Sequence, residues 1–232
     1  MTGGTKQIHS GHRQRLRERA LNEGLDGFSD VQALELLLFY ARARVDTNEI
    51  AHALLERFGR FDAVLNAPPQ ELQSVPGVGA ETAALLTLLP EFFRRYQLAA
   101  YPERTQLNSR ADLMDYAVRL FIGFRYEAFY LICLDGQNRV NHAALLNQGS
   151  LSEVTVYPRV AVETALRFNA RNVVLAHNHP GGVMRPTAAD VQLTQRISAV
   201  LEEIGIGVLD HLIVSGDECY SFTEKGLMNG RI

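Results

Sequence analysis

"NVVLAHNHPGGVMRPTAADVQLTQRISAVLEEIGIGVLDHLIVS", residues 172–215, reads as a strand, a loop, a helix and a second strand in that order. "NVVLAHN" is a short apolar run suited to a buried strand, Pro180 ends it, and Gly181 and Gly182 let the backbone turn. Thr187 and Asp190 have capping-box spacing, and "TAADVQLTQRISAVLEEIG" continues as a helix that Gly205 stops. A strand, a crossover helix and a further strand imply parallel pairing, which puts this part of the chain in an α/β domain.

The flanking residues extend the pattern on both sides. "ECYSF" follows as a strand; upstream, "PRVAVETALRFNA" is a helix with Pro158 in its first turn. Before that, "EAFYLICLD", the turn "GQN" and "RVNHAALLNQ" read as an antiparallel hairpin whose first strand is apolar enough for burial on both faces. "AAYPERTQLNS" breaks the texture and places a boundary near residues 99–107. Residues 1–100 read as all-α. "DVQALELLLFYARA" follows an Asp30 cap, and "TNEIAHALLERFG" runs from a Thr47 cap to Gly59. "PPQELQSVPGVGAETAALLTLL" gives a short helix, a tight turn and another helix, with Pro90 expected to kink or restart it before "EFFRRYQLA". The fold class is therefore mixed α/β (α+β): a helical domain over 1–100, then an α/β domain with a mixed sheet over 107–232.

Apolar residues form 47% and charged residues 21% of the 232, which excludes a disordered chain. A net charge of -3 decides nothing about nucleic acid, for which only a local basic patch would speak. The N-terminus lacks a signal-peptide core and no run of about 18 apolar residues occurs, so a cytoplasmic protein with no membrane partner is expected. Two cysteines, Cys133 and Cys219, argue against a disulfide framework and against a cysteine zinc site.

The chemistry concentrates at the end of the first strand quoted. Side chains alternate along a strand, so His177 and His179 project from one face with α-carbons roughly 6.6 Å apart, while Asn178 points the other way. The loop returns the chain as a helix start, where Asp190 can supply a third ligand. Thr187 and Asp190 could both serve only to cap that helix, a reading that fits Thr187 better than Asp190, since Asp190 supplies the third ligand that two histidines lack. Two histidines, one aspartate and an open position make the pattern of a catalytic zinc, since a structural zinc has four protein ligands. Zinc lowers the pKa of bound water from 15.7 to about 7, so hydrolysis follows, given a nearby carboxylate to move protons. Glu127, Glu153 and Glu163 are candidates; Glu127 opens a buried strand, an unusual place for a carboxylate, and that inclines the choice toward it.

"HNHPGGVMRPTAAD" resembles the JAMM (MPN+, JAB) metalloprotease motif, HxHP, six residues, Ser or Thr, two residues, Asp. With "GHRQRLRERALNEG", "ELLLFYA", "VPGVGAETA", "LNQGSL", "RNVVLAHNHPGG" and "LDHLIV", nearly the whole chain resembles the bacterial RadC family. The resemblance implies a cytidine-deaminase-like mixed sheet, zinc as cofactor on His177, His179 and Asp190, and Glu127 as general acid/base. It implies that Thr187, where the motif usually has Ser, stabilises a tetrahedral intermediate. Val183 and Val160 stand where such proteins commonly carry acids.

"SVPGVGAETAALL" resembles a helix-hairpin-helix motif, whose turn at Gly77 and Gly79 would offer backbone N–H groups to a phosphate without reading base sequence. Lys6, Arg13, Arg15, Arg17 and Arg19 against Glu18 give a local net charge of +4, suited to a solvated face or to phosphates. Of the other histidines, His211 in "LDHLIV" stands out as a potential support for the zinc site. The expected function is a RadC-type zinc metallohydrolase cutting an amide or isopeptide bond in a protein or peptide substrate, with non-specific DNA as a second partner through residues 1–100. The competing readings are a DNA-binding accessory protein whose metal domain does not turn over, and a metal-dependent nuclease.

Overall fold

The computed structural model describes residues 4–43, 45–102, 104–149 and 156–229, with residues 4–10 described by their backbone alone. The chain divides into two compact units, 1–92 and 93–232.

The first unit contains α1 (Gly4–Glu23), α2 (Asp30–Ala41), α3 (Asn48–Phe58), α4 (Phe61–Leu65) and α5 (Pro69–Gln73); α6 (Ala80–Ala99) begins in it. Its core is Leu34, Leu38, Leu54, Val64, Leu72 and Leu86, all fully buried. The cap of α2 is Ser29, not Asp30: the Ser29 hydroxyl accepts from the Gln32 N–H and the Gln32 side chain accepts from the Ser29 N–H. Asp30 sits in the first turn, where a carboxylate is favoured by the helix dipole. Thr47 precedes α3 without a side-chain cap bond. α6 continues through Pro90 without restarting, because a proline removes a single main-chain bond from a helix of 20 residues.

Three cations of the N-terminal run serve this unit itself. Arg13 donates to the carbonyls of Arg42 at 2.7 Å, Ala43 at 2.7 Å, and Val45. Arg17 lies over the rings of Phe39 and Tyr40, and Arg19 bonds Glu23 and the Gly27 carbonyl. They staple α1 to α2 and to the loops on either side of α2, so they form neither a purely solvated face nor a free phosphate-binding face; Arg15 is exposed, and the Lys6 side chain lies outside the described residues.

The α5–α6 turn has an asymmetric requirement for glycine. Gly77 has φ +86°, and a β-carbon there would meet Ile50 at 2.9 Å, whereas the nearest atom to a β-carbon at Gly79 is 3.9 Å away. Gly77→Ala is therefore expected to cost about 1–3 kcal/mol from backbone strain and clash. Gly79→Ala should cost only a few tenths, comparable to exchanging a Gly cap. Urea unfolding of the two variants checks the difference.

The second unit contains α7 (Arg110–Leu120), β1 (Glu127–Leu134), β2 (Val140–Gly149), α8 (Pro158–Arg167), β3 (Asn172–Asn178), α9 (Ala188–Glu203), β4 (Gly207–Ser215) and β5 (Glu218–Ser221). The sheet order is β2-β1-β3-β4-β5. It is mixed: β1 pairs antiparallel with both β2 and β3, β3 with β4 is the one parallel pair between named strands, and β5 returns antiparallel. Strand, helix, strand order alone suggested a parallel run, but insertion of β1 between β2 and β3 leaves just one such pair.

Alternation along the central strands fills both faces. Ala128, Ile132, Leu134, Val174 and Ala176 join Leu113, Ala117 and Leu120 of α7 in one core. Phe129, Leu131, Cys133, Val173 and Leu175 join Ala161 and Ala165 of α8 and Ile197 and Leu201 of α9 in the other. Residue 177 continues the second set, so the strand aims His177 into the layer that holds α9.

Candidate metal centre

His177 is the last but one residue of β3, 5% exposed, with its ring parallel to that of Phe129 at 5.8 Å between centroids. His179 lies just past the strand, where its main-chain N–H bonds the Val214 carbonyl at 2.8 Å and extends the alignment with β4. The loop returns at Thr187, the N-cap of α9. The Thr187 hydroxyl accepts from the Asp190 N–H at 3.2 Å, and the Thr187 N–H donates to Asp190 Oδ2 at 2.7 Å. The hydroxyl also donates to Asp190 Oδ2, at 2.7 Å. Capping and ligand placement are thus one arrangement: Oδ2 is held by Thr187, while Oδ1 lies 3.4 Å from His177 Nε2.

Ligand atoms of His177, His179 and Asp190 all lie within 4.8 Å of one another, and this is the one such cluster of three among the described residues. The two Nε2 atoms are 2.9 Å apart. A tetrahedral ion with arms of about 2.0–2.1 Å sets its ligands roughly 3.3 Å apart, close to these separations. The Val183 carbonyl accepts from His179 Nδ1 at 2.7 Å; a carbonyl cannot donate, so the proton is on Nδ1 and the Nε2 lone pair faces the cluster. Two imidazoles and a carboxylate are a donor set that suits a divalent transition metal, and the residues fit one. Side-chain exposures of 11% for His179 and 18% for Asp190 leave a small opening to solvent.

Burial pushes the His177 pKa down to about 4, with the neighbouring His179 adding to the shift and Asp190 opposing it. Burial likewise holds His211 well below its usual value, with His177 and His179 adding to the effect. An imidazole whose folded pKa is depressed takes up its proton more readily when unfolded. Stability is then level above about pH 6.5 and is lost as pH falls through the window from about 6.5 to about 4, by on the order of 3 kcal/mol for His177. Urea midpoints of the chelator-treated protein should fall across that window, and fall less in His177→Gln.

Glu127 is the first residue of β1, half-buried. Phe129 pairs with His177, and continuing that register by two residues brings Glu127 level with His179, on the same face. Asn178, on the opposite face, brackets it: its Oδ1 accepts from the Ala128 N–H at 2.7 Å and its Nδ2 donates to the Tyr126 carbonyl at 3.0 Å. The middle letter of "HNH" thus holds the main chain on both sides of Glu127. Glu163 is exposed on α8 and paired with Arg159, and Glu153 lies outside the described residues.

His211, on β4, is fully buried against His177 with Nε2 2.8 Å from His177 Nδ1. Its strand position gave the only sequence signal; its partner Thr194, 2.6 Å from His211 Nδ1, gave none. His12 instead bonds buried Glu35 in the first unit, and His142 stacks on Phe168. Gly77 and Gly79 lie in the α5–α6 turn of the first unit. The Val183 side chain is 61% exposed, so its carbonyl alone serves the site.

A profile of the RadC-like JAB domain matches residues 107–227. A UPF0758 protein of Fusobacterium nucleatum is 34% identical over 231 residues, covering 97% of this chain and all of that protein. A UPF0758 protein of Variovorax paradoxus is 38% identical over 217 residues, 92% of this chain and 96% of its own length. One from Burkholderia cenocepacia is 35% identical over 214 residues, 92% and 83% respectively.

Proposed function

The chain belongs to the RadC family, and from that premise we propose that it is a zinc-dependent hydrolase of the JAMM type, cutting an amide or isopeptide bond in a protein or peptide. The observation that carries the reading is the convergence of His177 Nε2, His179 Nε2 and Asp190 at the end of a buried strand, with Glu127 on the same face. When bound, zinc would supply a Lewis acid and a water made acidic near neutral pH. His177, His179 and Asp190 would hold it, and the protein would supply the rest.

Glu127 takes the proton from the attacking water and returns it to the leaving nitrogen, held for the task by the Asn178 bracket on its backbone. Thr187 presents a hydroxyl at the mouth of the site, and its bond to Asp190 Oδ2 keeps that carboxylate turned. A cytoplasmic setting fits the two free thiols, and no helix among the described residues is long and apolar enough to cross a membrane. The test is zinc-dependent, chelator-reversible cleavage of a peptide and isopeptide library; a zinc-loaded protein that cleaves none of it, while degrading DNA in a Glu127-dependent way, would favour the nuclease reading.

Non-specific contact of the first unit with DNA phosphates is a second proposal, supported by the glycine turn that opens α6. With Arg13, Arg17 and Arg19 engaged internally, the basic run adds less to it than its charge suggests.

A further inference from the structure

Five short contacts run in series through the centre and end on carbonyl oxygens at both sides. Asp190 O is 2.6 Å from Thr194 Oγ1, which is 2.6 Å from His211 Nδ1. His211 Nε2 is 2.8 Å from His177 Nδ1, His177 Nε2 is 2.9 Å from His179 Nε2, and His179 Nδ1 is 2.7 Å from Val183 O. Each contact needs one proton. His177 and His211 are buried, which disfavours their charged forms, and a ligand histidine must be neutral. The hydroxyl and three neutral rings then bring four protons to five contacts. One contact must be left as two facing lone pairs.

The geometry points to which one. The Thr194 hydroxyl, four residues after Asp190 on α9, donates back to the Asp190 carbonyl in the manner of helical threonines. Its oxygen then accepts from His211 Nδ1, His211 Nε2 accepts from His177 Nδ1, and the proton-free contact falls between His177 Nε2 and His179 Nε2. There a cation relieves the opposition, with Asp190 Oδ1 3.4 Å away to share it. We propose that Thr194, acting through His211, is a positioning residue that sets the tautomer of His177 so that its Nε2 lone pair faces the metal position. This rests on the metal-site reading above.

Removing the hydroxyl reverses the logic. In Thr194→Val, three rings bring three protons to the three remaining contacts, and all are satisfied when His211 donates to His177, His177 to His179 and His179 to Val183. A proton then occupies His177 Nε2, and a metal must reverse two rings and leave His211 Nδ1–H against a methyl group. Zinc affinity of Thr194→Val, measured by competition with a chromogenic chelator, is expected to fall 10–100-fold, the usual scale for groups that orient a ligand, and Thr194→Ser to stay within about threefold. Long-range 15N–1H NMR of the chelator-treated Val variant should place a proton on His177 Nε2.

Equal affinity of Thr194→Val and wild type would overturn the proposal, as would equal losses in the Val and Ser variants, which would point to packing. A wild-type protein that takes up no zinc would overturn the proposed function and this relay together, an outcome distinct from equal affinities in a protein that does bind.

Discussion

Glu127→Gln is expected to lower zinc-dependent hydrolysis by about 10²–10⁴-fold while leaving zinc uptake unchanged. The magnitude is that of a lost general acid/base, roughly 3–5 kcal/mol of barrier. Glutamine keeps the size and polarity of the side chain but cannot accept the proton. The substitution spares the fold because the bonds that fix this part of β1 run from Asn178 to the main chain of Tyr126 and Ala128, not to the carboxylate. Initial rates on a cleaved library member, with metal content measured on the same samples, make the comparison. Retention of more than about a tenth of wild-type activity would move the role to another group. Glu163 is a poor successor, exposed and tied to Arg159 at 2.6 Å.

His177→Ala is expected to weaken zinc binding by at least about a hundredfold. Four-ligand zinc sites are worth about 10–16 kcal/mol, so one ligand in four is about 3 kcal/mol, or roughly a hundredfold in affinity. The true loss should exceed this, because His211 Nε2 would also lose its buried partner at 2.8 Å and Phe129 its stacked ring. His142→Ala, which removes a ring that stacks on Phe168, is the control and should bind as wild type does. Wild-type affinity in His177→Ala would mean that zinc binds elsewhere.

Much of this was legible in the residues because the signals were local. Capping spacing between Thr187 and Asp190, the apolar run before His177 and the glycines after it are read within a few residues, and each has its expected counterpart in the structure. What escaped is long-range. Asn178 looked like a spacer because its partners lie 50 and 52 residues away. Thr194 looked like an ordinary helical residue because only the fold brings it to His211. Arg13 looked solvated because its carbonyl partners are about 30 residues downstream. The strand order was not legible for the same reason: nothing within β1 announces that it will slot between β2 and β3.

The Asn178 bracket has a consequence for how this stretch can vary. Side chains of residues 173, 175 and 177 face one helical layer, and 174 and 176 face the other, with the Asn178 amide clasping the strand that carries Glu127. Inserting or deleting a single residue within 172–178 would exchange the two faces, sending an imidazole toward α7 and an amide toward the metal. The length of that segment therefore admits no edit, whereas the loop from Gly181 to Pro186 reaches the centre through the Val183 carbonyl and can vary its side chains, Gly182 excepted, whose φ of +82° favours glycine. In a chain of this kind, spelling is negotiable in the loop and counting is not negotiable in the strand.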